Sequence, residues 1–394
     1  MLLSVLITLL RYTNNQVKVE AKAKNIKGNS IKMNRKSKIE NRKSKKHLMT
    51  GNEAIGEGAV RAGCDLYAGY PITPQNELTA FMSRRMREKK RIFIQSESEI
   101  SAISMIFGAS LTGKRAMTSS SSPGISLKQE GISYLAGCRL PGVIVNVMRG
   151  GPGLGNISPS QADYFQATKG GGHGDYHIVV LAPSTAEEAM SLTMLAFDLA
   201  DSYRCPAMIL TDGMLGQMME PVEISKFKFK NSNSISKKWA LIGARGRNPQ
   251  SIKSLYLKPG GLERHNLNLQ ATYDEIKRRE VRYESLYCNN AELIVVAYGS
   301  VSRIVRAAVK RLKGAGKRVG MLRPISLWPF PEKALKRHAN KTKRFLVIEM
   351  SAGQMVEDVR LAVEGSAKVD FYGRTGGGIP SQKEVEEKIS RCLR

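Results

Sequence analysis

The sequence predicts an α/β protein made of a doubly wound domain with a mostly parallel sheet, followed by a smaller α/β domain. Three observations lead to this prediction. The chain has 394 residues, more than the roughly 250–300 residues that one hydrophobic core usually supports. Short apolar runs alternate with helix-length stretches over most of the chain, which is typical of a parallel sheet covered by helices. A stretch rich in Lys, Asn and Ser, 221–290, interrupts this alternation.

Residues 1–48 are predicted to form a basic, disordered extension. They carry 13 Lys or Arg and two Asp or Glu, and after an apolar start they lack hydrophobic periodicity. The apolar start, MLLSVLITLL, is about half as long as the roughly 20 residues that span a bilayer. Two interpretations remain open. Either translation begins later, at Met33 or Met49, or the extension is a basic tail that contacts a membrane or RNA.

Residues 49–220 are predicted to form the doubly wound domain. Its strands are short apolar runs without alternation, as expected for strands buried on both faces. The predicted strands are Leu66–Tyr70, Arg91–Gln95, Arg115–Ser119, Val143–Val147, Ile178–Ala182 and Ala207–Thr211. Between them lie helix-length stretches such as Ser184–Asp201, where apolar side chains recur at helical spacing. Sheets of this type bind ligands at the carboxyl ends of their strands, so functional residues are expected in the loops there.

The rest of the chain is predicted to contain a linker and the smaller domain. The linker, 221–290, packs against its neighbours and ends in a charged helix, Tyr273–Tyr287. The smaller α/β domain, 291–394, has an amphipathic helix that includes Ile304 and Val305 on its apolar face. Its predicted strands are Leu293–Ala297, Val319–Leu322, Phe345–Ile348 and Val369–Tyr372.

Composition and cysteine usage exclude several classes of protein. The chain is 42% hydrophobic and 24% charged, which excludes a collagen, a fully disordered chain and a multi-span membrane protein. Its five cysteines are scattered without a CxxC pair, which argues against a disulfide scaffold, a zinc module or an iron–sulfur cluster held by this chain alone. Such thiols fit a reducing, cytoplasmic compartment. The net charge of +28 keeps a nucleic-acid-associated α/β protein as the alternative of a different class. However, no nucleic-acid motif is present, so nucleic acid is not expected as the main partner.

Three local motifs favour structural interpretations. The segment GASLTGKR, 108–115, approaches a phosphate-binding P-loop, but Arg115 replaces the hydroxyl residue and a helical run precedes it, so Gly113 is expected to end that helix. The glycines of RGGPGLG, 149–155, have the wrong spacing for a dinucleotide loop. His173 and His177 lie in a glycine-rich segment that is not expected to be a metal-binding helix.

Glu99, Thr73 and Arg149 are candidate functional residues because each lies near the end of a predicted strand. Arg149 carries a donor fork that suits a carboxylate, although an ordinary surface arginine fits the same position. Glu99 enters a helix and is either a favourable charge at its N-terminus or an embedded acid. Thr73 lies between Pro71 and Pro74. Either the prolines fix the loop so that the Thr73 hydroxyl points outward, or Thr73 is part of the N-terminal turn of the helix that follows. These alternatives are left open by the residues alone.

Longer blocks of sequence carry a resemblance to a known family. The blocks are GNEAIGEGAVRAGC, GYPITPQNEL, QSESEISAISMIFGASLTGKRAMTSSSSPG, VNVMRGGPGLGNISPSQADYFQATKGGGHGDYHIVVLAPST, VAYGSVSRIVRAAV, GMLRPISLWPFP and VIEMSAGQMVEDVR. From about Thr50 to the C-terminus the chain resembles the alpha subunit of 2-oxoacid:ferredoxin oxidoreductases. The form of the block that begins at Arg149 is most similar to the subunit that acts on branched-chain 2-oxoacids. Residues 1–48 have no counterpart in the family.

The resemblance implies a thiamine-diphosphate enzyme. The first domain would be of the thiamine-diphosphate pyrimidine-binding type, and the second would be similar to the transketolase C-terminal domain. Glu99 matches the catalytic glutamate that binds the aminopyrimidine ring of the cofactor, and Pro71 and Ile72 match cofactor-binding positions. Thr73 and Arg149 match positions that bind the 2-oxoacid. The implied reaction is the coenzyme A-dependent oxidative decarboxylation of 3-methyl-2-oxobutanoate, with ferredoxin as the electron acceptor.

The same resemblance implies that this chain works with partners. Thr211-Asp212-Gly213 is the nearest segment to a diphosphate-binding motif, and it lacks the first Gly and a matching Asn. A beta subunit would therefore supply the diphosphate and Mg²⁺ half of the site, and gamma and ferredoxin-like subunits would supply the remaining domains and the iron–sulfur clusters. No metal ligand is expected in this chain. The alternative substrates are 2-oxoglutarate and pyruvate, and the second carboxylate of 2-oxoglutarate would require another cation, such as Arg139 or Lys169.

Overall fold

The computed structural model of the chain describes residues 46–230 and 237–394. These described residues belong to one compact unit. The predicted basic extension therefore lies outside the described residues, except for its last three positions. There the prediction of disorder is wrong, because His47 and Leu48 begin strand β1, His47–Thr50, which pairs antiparallel with β8, Met219–Val222. The partner strand is about 170 residues away in sequence, so no local pattern could reveal the pairing.

The first α/β half is built on a seven-stranded, mostly parallel sheet. Its strands along the chain are β2 Leu66–Gly69, β3 Ile92–Gln95, β4 Ala116–Ser120, β5 Gly142–Met148, β6 Val179–Leu181 and β7 Pro206–Asp212, with β12 Ser326–Trp328 added from the second half. The order across the sheet is β12-β6-β7-β5-β4-β2-β3. All six predicted strands of this half are confirmed, with ends that differ by at most one residue.

Helices cover this sheet and connect its strands. They are α1 Gly51–Arg61, α2 Asn76–Glu88, α3 Glu99–Leu111, α4 Ser122–Gly137, α5 Tyr164–Thr168, α6 Ala186–Tyr203 and α7 Gly213–Gln217. Side chains of α3 and α4 pack against each other, and a Cβ on Gly131 would stand 2.6 Å from Ile103 Cγ2. This close approach fixes the amino ends of α3 and α4 side by side at the carboxyl edge of the sheet.

The second α/β half contains a five-stranded sheet with the order β14-β13-β10-β11-β9. Its strands are β9 Tyr283–Leu286, β10 Leu293–Val296, β11 Val319–Pro324, β13 Arg344–Glu349 and β14 Lys368–Gly373. Its helices are α9 Val301–Gly314, α10 Glu332–Ala339, α11 Met355–Val363 and α12 Gln382–Cys392. The four predicted strands are confirmed, and β9 is an addition that pairs antiparallel with β11.

The predicted linker, 221–290, holds more regular structure than its composition indicates. Helix α8 spans Gly261–Arg279, so the predicted charged helix Tyr273–Tyr287 is wrong in its bounds. Residues after Arg279 leave the helix and form β9, because Tyr283 and Leu286 find backbone partners on β11. The domain boundaries at 220 and 290 stay predictions. The last part of the linker contributes strand β9 to the sheet of the second half.

The near P-loop, 108–115, is the end of a helix. Gly108 lies within α3, and Gly113 follows the helix with a φ of +78°. The left-handed conformation is the usual stop after a helix, so the expected role of Gly113 is confirmed. None of the described helices is long and apolar enough to cross a membrane.

Candidate active site

The carboxyl ends of four neighbouring strands gather the candidate residues. In the sheet order β5-β4-β2-β3, Thr73 follows β2, Glu99 follows β3, Ser120 ends β4 and Arg149 follows β5. Because parallel strands end at one edge, the loops after them share a surface. We refer to this surface as the carboxyl-edge site.

Glu99 is the first residue of α3 and is 6% exposed. Its helix begins there because Ser98 caps it, accepting a hydrogen bond from the Ser101 backbone N–H at 3.2 Å. In the part of the chain that the structure describes, no group donates a hydrogen bond to the Glu99 carboxylate. The residue is almost fully buried, but its two oxygens are not among the fully buried unpaired atoms, so they can accept a hydrogen bond from a ligand that brings a donor.

The first turn of α4 packs closely against Glu99. A Cβ on Gly124 would stand 2.6 Å from Glu99 Oε1 and 2.0 Å from Ser120 Oγ, so only glycine fits at position 124 beside these two groups. The hydroxyls of Ser120 and Ser121 are buried there without a hydrogen-bond partner. The Glu99 carboxylate and the two unpaired serine hydroxyls are groups that can hydrogen-bond the aminopyrimidine ring of thiamine diphosphate, which carries donors and acceptors along one edge.

Thr73 and Arg149 are in direct contact. Arg149 Nη1 donates to the Thr73 carbonyl at 3.0 Å, and Nη2 donates to the Leu154 carbonyl at 3.2 Å. The guanidinium is 9% exposed and its Nε–H is buried without a partner. Contacts within the chain therefore use two of its five N–H groups. On the same loop Pro71 is exposed and Ile72 is half-buried.

A polar network holds the backbone of Arg149 in place. Ser122 Oγ donates to Asp163 Oδ2 at 2.6 Å and accepts from the Arg149 backbone N–H at 3.1 Å. Asn146 donates to the same Asp163 oxygen at 2.9 Å. Burial raises the pKa of Asp163, while the two hydrogen bonds oppose that rise. Sequence reasoning missed Asp163 and Ser122, because both are brought to Arg149 from other segments.

Lys128 is a second residue that sequence reasoning missed. It lies in α4, is fully buried, and its Nζ has no hydrogen-bond partner among the described residues. Burial lowers the pKa of Lys128 to about 8, and the field of Glu99 acts in the opposite direction. A signal was available, because Lys128 falls at helical spacing between Ile125 and Ile132 on an apolar face.

Asp212 is occupied by contacts within the chain. Its Oδ1 accepts hydrogen bonds from the backbone N–H groups of Met214 and Leu215, and its Oδ2 accepts one from Ser300. The aspartate therefore caps α7 and joins it to the second α/β half. Its two oxygens are used for structure, so the segment 211–213 does not offer a free carboxylate to Mg²⁺.

The other sequence candidates lie apart from the carboxyl-edge site. Arg139 precedes β5, so it lies at the opposite edge of the sheet from Arg149, and it donates to Thr272. Lys169 is paired with Asp358 of α11. His177 stacks on Trp328 at 4.6 Å between ring centroids, while His173 meets the ring of Tyr134 edge-on.

The described residues also line cavities away from Glu99 and Arg149. One cavity of about 540 Å³ is lined by Lys169, His177 and Trp328, together with residues of α8 and α10, and does not include Glu99 or Arg149. At the carboxyl-edge site Glu99, Ser120 and Arg149 are themselves almost fully buried, whereas Pro71 on the adjoining loop is exposed.

Comparison with known proteins identifies the two halves. Residues 57–284 match the family model "Pyruvate flavodoxin/ferredoxin oxidoreductase, thiamine diP-bdg", and residues 291–385 match "Pyruvate:ferredoxin oxidoreductase core domain II". The first model spans more than half of the chain and contains every residue of the carboxyl-edge site. It also runs through most of the predicted linker.

Individual relatives agree with these models. The chain is 48% identical over 342 residues to ketoisovalerate oxidoreductase subunit VorB of Methanothermobacter thermautotrophicus, covering 87% of this chain and 96% of the relative. It is 34% identical over 378 residues to 2-oxoglutarate synthase subunit KorA of the same organism, covering 89% and 100% of the two chains.

Solved structures show the same architecture. A 2-oxoglutarate:ferredoxin oxidoreductase from Magnetococcus marinus, with 2-oxoglutarate, coenzyme A and succinyl-CoA bound, superimposes with a TM-score of 0.82 at 25% identity. The match covers 89% of this chain and 66% of that chain. A split-gene transketolase matches at 14% identity with a TM-score of 0.55, which shows the fold alone. With two family models in order along it and relatives matched over nearly their full length, the chain belongs to the family of pyruvate and other 2-oxoacid:ferredoxin oxidoreductases.

Proposed function

We propose that this chain is the alpha-type subunit of an oxidoreductase that converts a branched-chain 2-oxoacid, 3-methyl-2-oxobutanoate, into its acyl-CoA thioester, CO₂ and reduced ferredoxin. The observation that carries the proposal is the Glu99 carboxylate at the start of α3, which receives no hydrogen bond from the described residues and lies with the unpaired hydroxyl of Ser120 against Gly124. The thiamine-binding family model over residues 57–284 supports the choice of cofactor. When bound, thiamine diphosphate supplies the carbanion chemistry that lets a 2-oxoacid lose CO₂.

Glu99 would hold the cofactor by its aminopyrimidine ring. Its carboxylate would accept a hydrogen bond at the ring nitrogen and so hold a proton there, a form of acid–base assistance typically worth about 10²–10⁴ in rate. Ser120 and Ser121 would supply further hydrogen bonds to the polar edge of the ring, and the loop with Pro71 and Ile72 would cover it. Gly124 keeps this space free of a side chain.

Arg149 would orient the 2-oxoacid. The free N–H groups of its guanidinium suit the carboxylate that is later lost as CO₂. Its contact with the Thr73 carbonyl fixes the guanidinium beside the Thr73 side chain, whose hydroxyl also accepts a hydrogen bond from Asn76 at 3.2 Å. Thr73 and Arg149 would therefore act as one substrate-binding pair.

The branched-chain substrate is supported by similarity and by charge. The relative with 48% identity is a ketoisovalerate oxidoreductase subunit, whereas the 2-oxoglutarate synthase subunit is 34% identical. A second substrate carboxylate would need a cation near Arg149. Arg139 lies at the opposite edge of the sheet, and Lys169 is paired with Asp358, so neither of these two is placed to serve it.

We further propose that partner subunits complete the site. Asp212 is fully engaged within the chain, so the diphosphate and Mg²⁺ would be held by a beta subunit facing the carboxyl edge. Electrons would leave through iron–sulfur clusters in gamma and ferredoxin-like subunits. All five cysteines of this chain are free thiols, which supports a reducing, cytoplasmic location.

The experiment that tests this function is an anaerobic assay of the assembled complex. The chain is co-expressed with the subunits encoded beside it, and viologen reduction is followed with coenzyme A and a panel of 2-oxoacids. We expect preference for 3-methyl-2-oxobutanoate. Preference for 2-oxoglutarate or pyruvate would correct the substrate, and no reduction by a complex with intact clusters and cofactor would refute the proposal.

A further inference from the structure

Lys128 is a buried ammonium without a partner. It is 0% exposed, and the same face of α4 carries the buried apolar side chains of Ile125, Ile132 and Leu135. Its Nζ makes no hydrogen bond within the described part of the chain. Such a group is unfavourable for folding, and groups of this kind are concentrated at functional sites.

The position of Lys128 on its helix places it beside Glu99. The Glu99 Oε1 atom lies against Gly124, in the first turn of α4. Lys128 comes four residues later, so its side chain leaves the helix on the same face one turn further along. Glu99 is the charged group whose field acts on Lys128, and there is no direct ion pair between these two described residues.

Each of these two charges therefore lacks a direct partner. The Glu99 carboxylate receives no hydrogen bond from the described residues, and the Lys128 ammonium donates none to them. Opposite charges attract strongly across a short distance when little water lies between them. The lysine is fixed by its packed helix, whereas a carboxylate without hydrogen bonds is free to rotate about its terminal bond.

Building on the proposed function, we propose that Lys128 is a positioning residue that holds the Glu99 carboxylate in the orientation that binds the aminopyrimidine ring of thiamine diphosphate. Lys128 acts through Glu99 and does not itself contact the substrate. A purely structural side chain at this position would be better served by methionine, which has a similar shape and carries no charge.

The test uses the assembled complex with two variants of Lys128. Lys128→Met removes the charge, and Lys128→Arg keeps it. Thiamine diphosphate affinity is measured by titration calorimetry near pH 7 and near pH 9.5, and exchange of the cofactor C2 proton is followed by NMR in deuterated buffer. Thermal unfolding of each complex shows that the variants fold.

We expect Lys128→Met to weaken thiamine diphosphate binding about tenfold near pH 7 and to slow C2 proton exchange by a similar factor. Lys128→Arg retains most of both. The difference in affinity between the native complex and Lys128→Met shrinks near pH 9.5, because the native lysine then loses its charge. A structural role would not produce this pH dependence.

Two results would overturn this proposal. One is a folded Lys128→Met complex with native affinity and native C2 exchange near pH 7. The other is a loss of affinity that is equal at both pH values. If the native complex itself binds no thiamine diphosphate, the proposed function fails as well, and that failure is seen without any variant.

Discussion

At the scale of single residues, Glu99 and its neighbours bring together several polar groups without partners in the described part of the chain. Glu99 is 6% exposed and its carboxylate receives no hydrogen bond, while the hydroxyl of Ser120 and the ammonium of Lys128 are buried and unpaired. A bound ligand that supplies the missing contacts would account for such groups.

Glu99→Gln should lower turnover of the assembled complex by about 10²-fold or more, because an amide cannot hold the ring proton as a carboxylate does. Assembly, measured by size-exclusion chromatography, should be unchanged. Glu97→Gln is the matched control. It removes the same charge two residues away, at a position that is exposed. Equal activity of the two variants would remove Glu99 from the mechanism.

Arg149→Ala should raise the KM for the 2-oxoacid by about tenfold or more while thiamine diphosphate affinity changes much less, because the guanidinium faces the substrate carboxylate. Steady-state kinetics and titration calorimetry measure the two effects separately. Arg139→Ala, at the opposite edge of the sheet, is the control. Equal losses of substrate and cofactor binding in Arg149→Ala would indicate a structural role.

Lys128→Met should stabilise the complex against unfolding by up to about 3 kcal/mol near pH 7. The pKa of Lys128 is lowered from 10.5 to about 8 in the folded chain, so the folded state binds this proton more weakly than the unfolded state. The cost is complete below about pH 8 and disappears as the pH rises toward 10.5, so the gain of the variant should disappear over the same range.

Chemical denaturation at several pH values measures this gain. The exposed residue Lys310 provides the control, because Lys310→Met should change stability by less than about 0.5 kcal/mol. A destabilised Lys128→Met would show that the ammonium contributes to folding. A Lys128→Met variant that is more stable and also binds thiamine diphosphate more weakly would show that the lysine lowers the stability of the fold but increases cofactor affinity.

The sequence reveals these residues unequally. Glu99, Thr73 and Arg149 were accessible because each follows a recognisable strand and matches a family position. Asp163 and Ser122 were not, because their contact with Arg149 depends on three segments that meet only in the folded chain. Lys128 is an intermediate case. Its position on an apolar helix face is visible in the sequence, whereas its proximity to Glu99 is not.

At the scale of elements, the start of α3 controls where Glu99 points. Ser98→Ala removes the cap of this helix and should cost about 1 kcal/mol of stability. It should also weaken thiamine diphosphate binding, because the first turn that carries Glu99 loosens. Denaturation and calorimetry measure the two effects.

The matched control for this cap is Ser381→Ala. Ser381 caps the C-terminal helix α12 with a hydrogen bond of the same length, accepting from the Glu384 backbone N–H at 3.2 Å, and the Glu384 side chain adds a capping box there. We expect a similar loss of stability without any change in cofactor affinity. Equal cofactor affinity in both variants would show that the first turn of α3 holds Glu99 without its cap.

Parallel strands were the elements that the sequence predicts best. All ten predicted strands are present, because strands buried on both faces leave continuous apolar runs. The strands β1, β8, β9 and β12 were missed. Each is short and lies at a sheet edge or outside the two main sheets, where its partner rather than its own composition determines the structure.

At the scale of the whole molecule, Arg323 joins the two α/β halves. This arginine of β11 is 2% exposed and donates to Glu188 of α6 at 2.7 and 2.8 Å and to Ser184 at 2.7 Å. It also donates to Glu284 of β9 at 3.2 Å. Burial raises the pKa of Glu188, but the hydrogen bonds and charge of Arg323 outweigh it, so the pKa lies below its ordinary value.

Arg323→Ala should destabilise the chain by about 1–3 kcal/mol near pH 7, because it leaves the partly buried Glu188 without its cation, whereas Glu284 keeps its pair with Arg306. The contribution of Glu188 is present above its unfolded pKa and is lost as the pH falls through its lower folded pKa, so the penalty should shrink below about pH 4.5. Denaturant titrations across this range measure it. A loss below about 1 kcal/mol near pH 7 would contradict this account.

Strand β12 has a consequence for how this protein can be divided. It comes from the second half of the chain, yet it covers the edge of the first sheet at β6. A gene split or a fusion at residue 290 would leave β6 with unpaired backbone groups, which is a template for aggregation. Exchange of one half between related enzymes would likewise have to bring a matching edge strand. We therefore expect the two halves to be transferred between enzymes only as a single piece, although each has its own sheet.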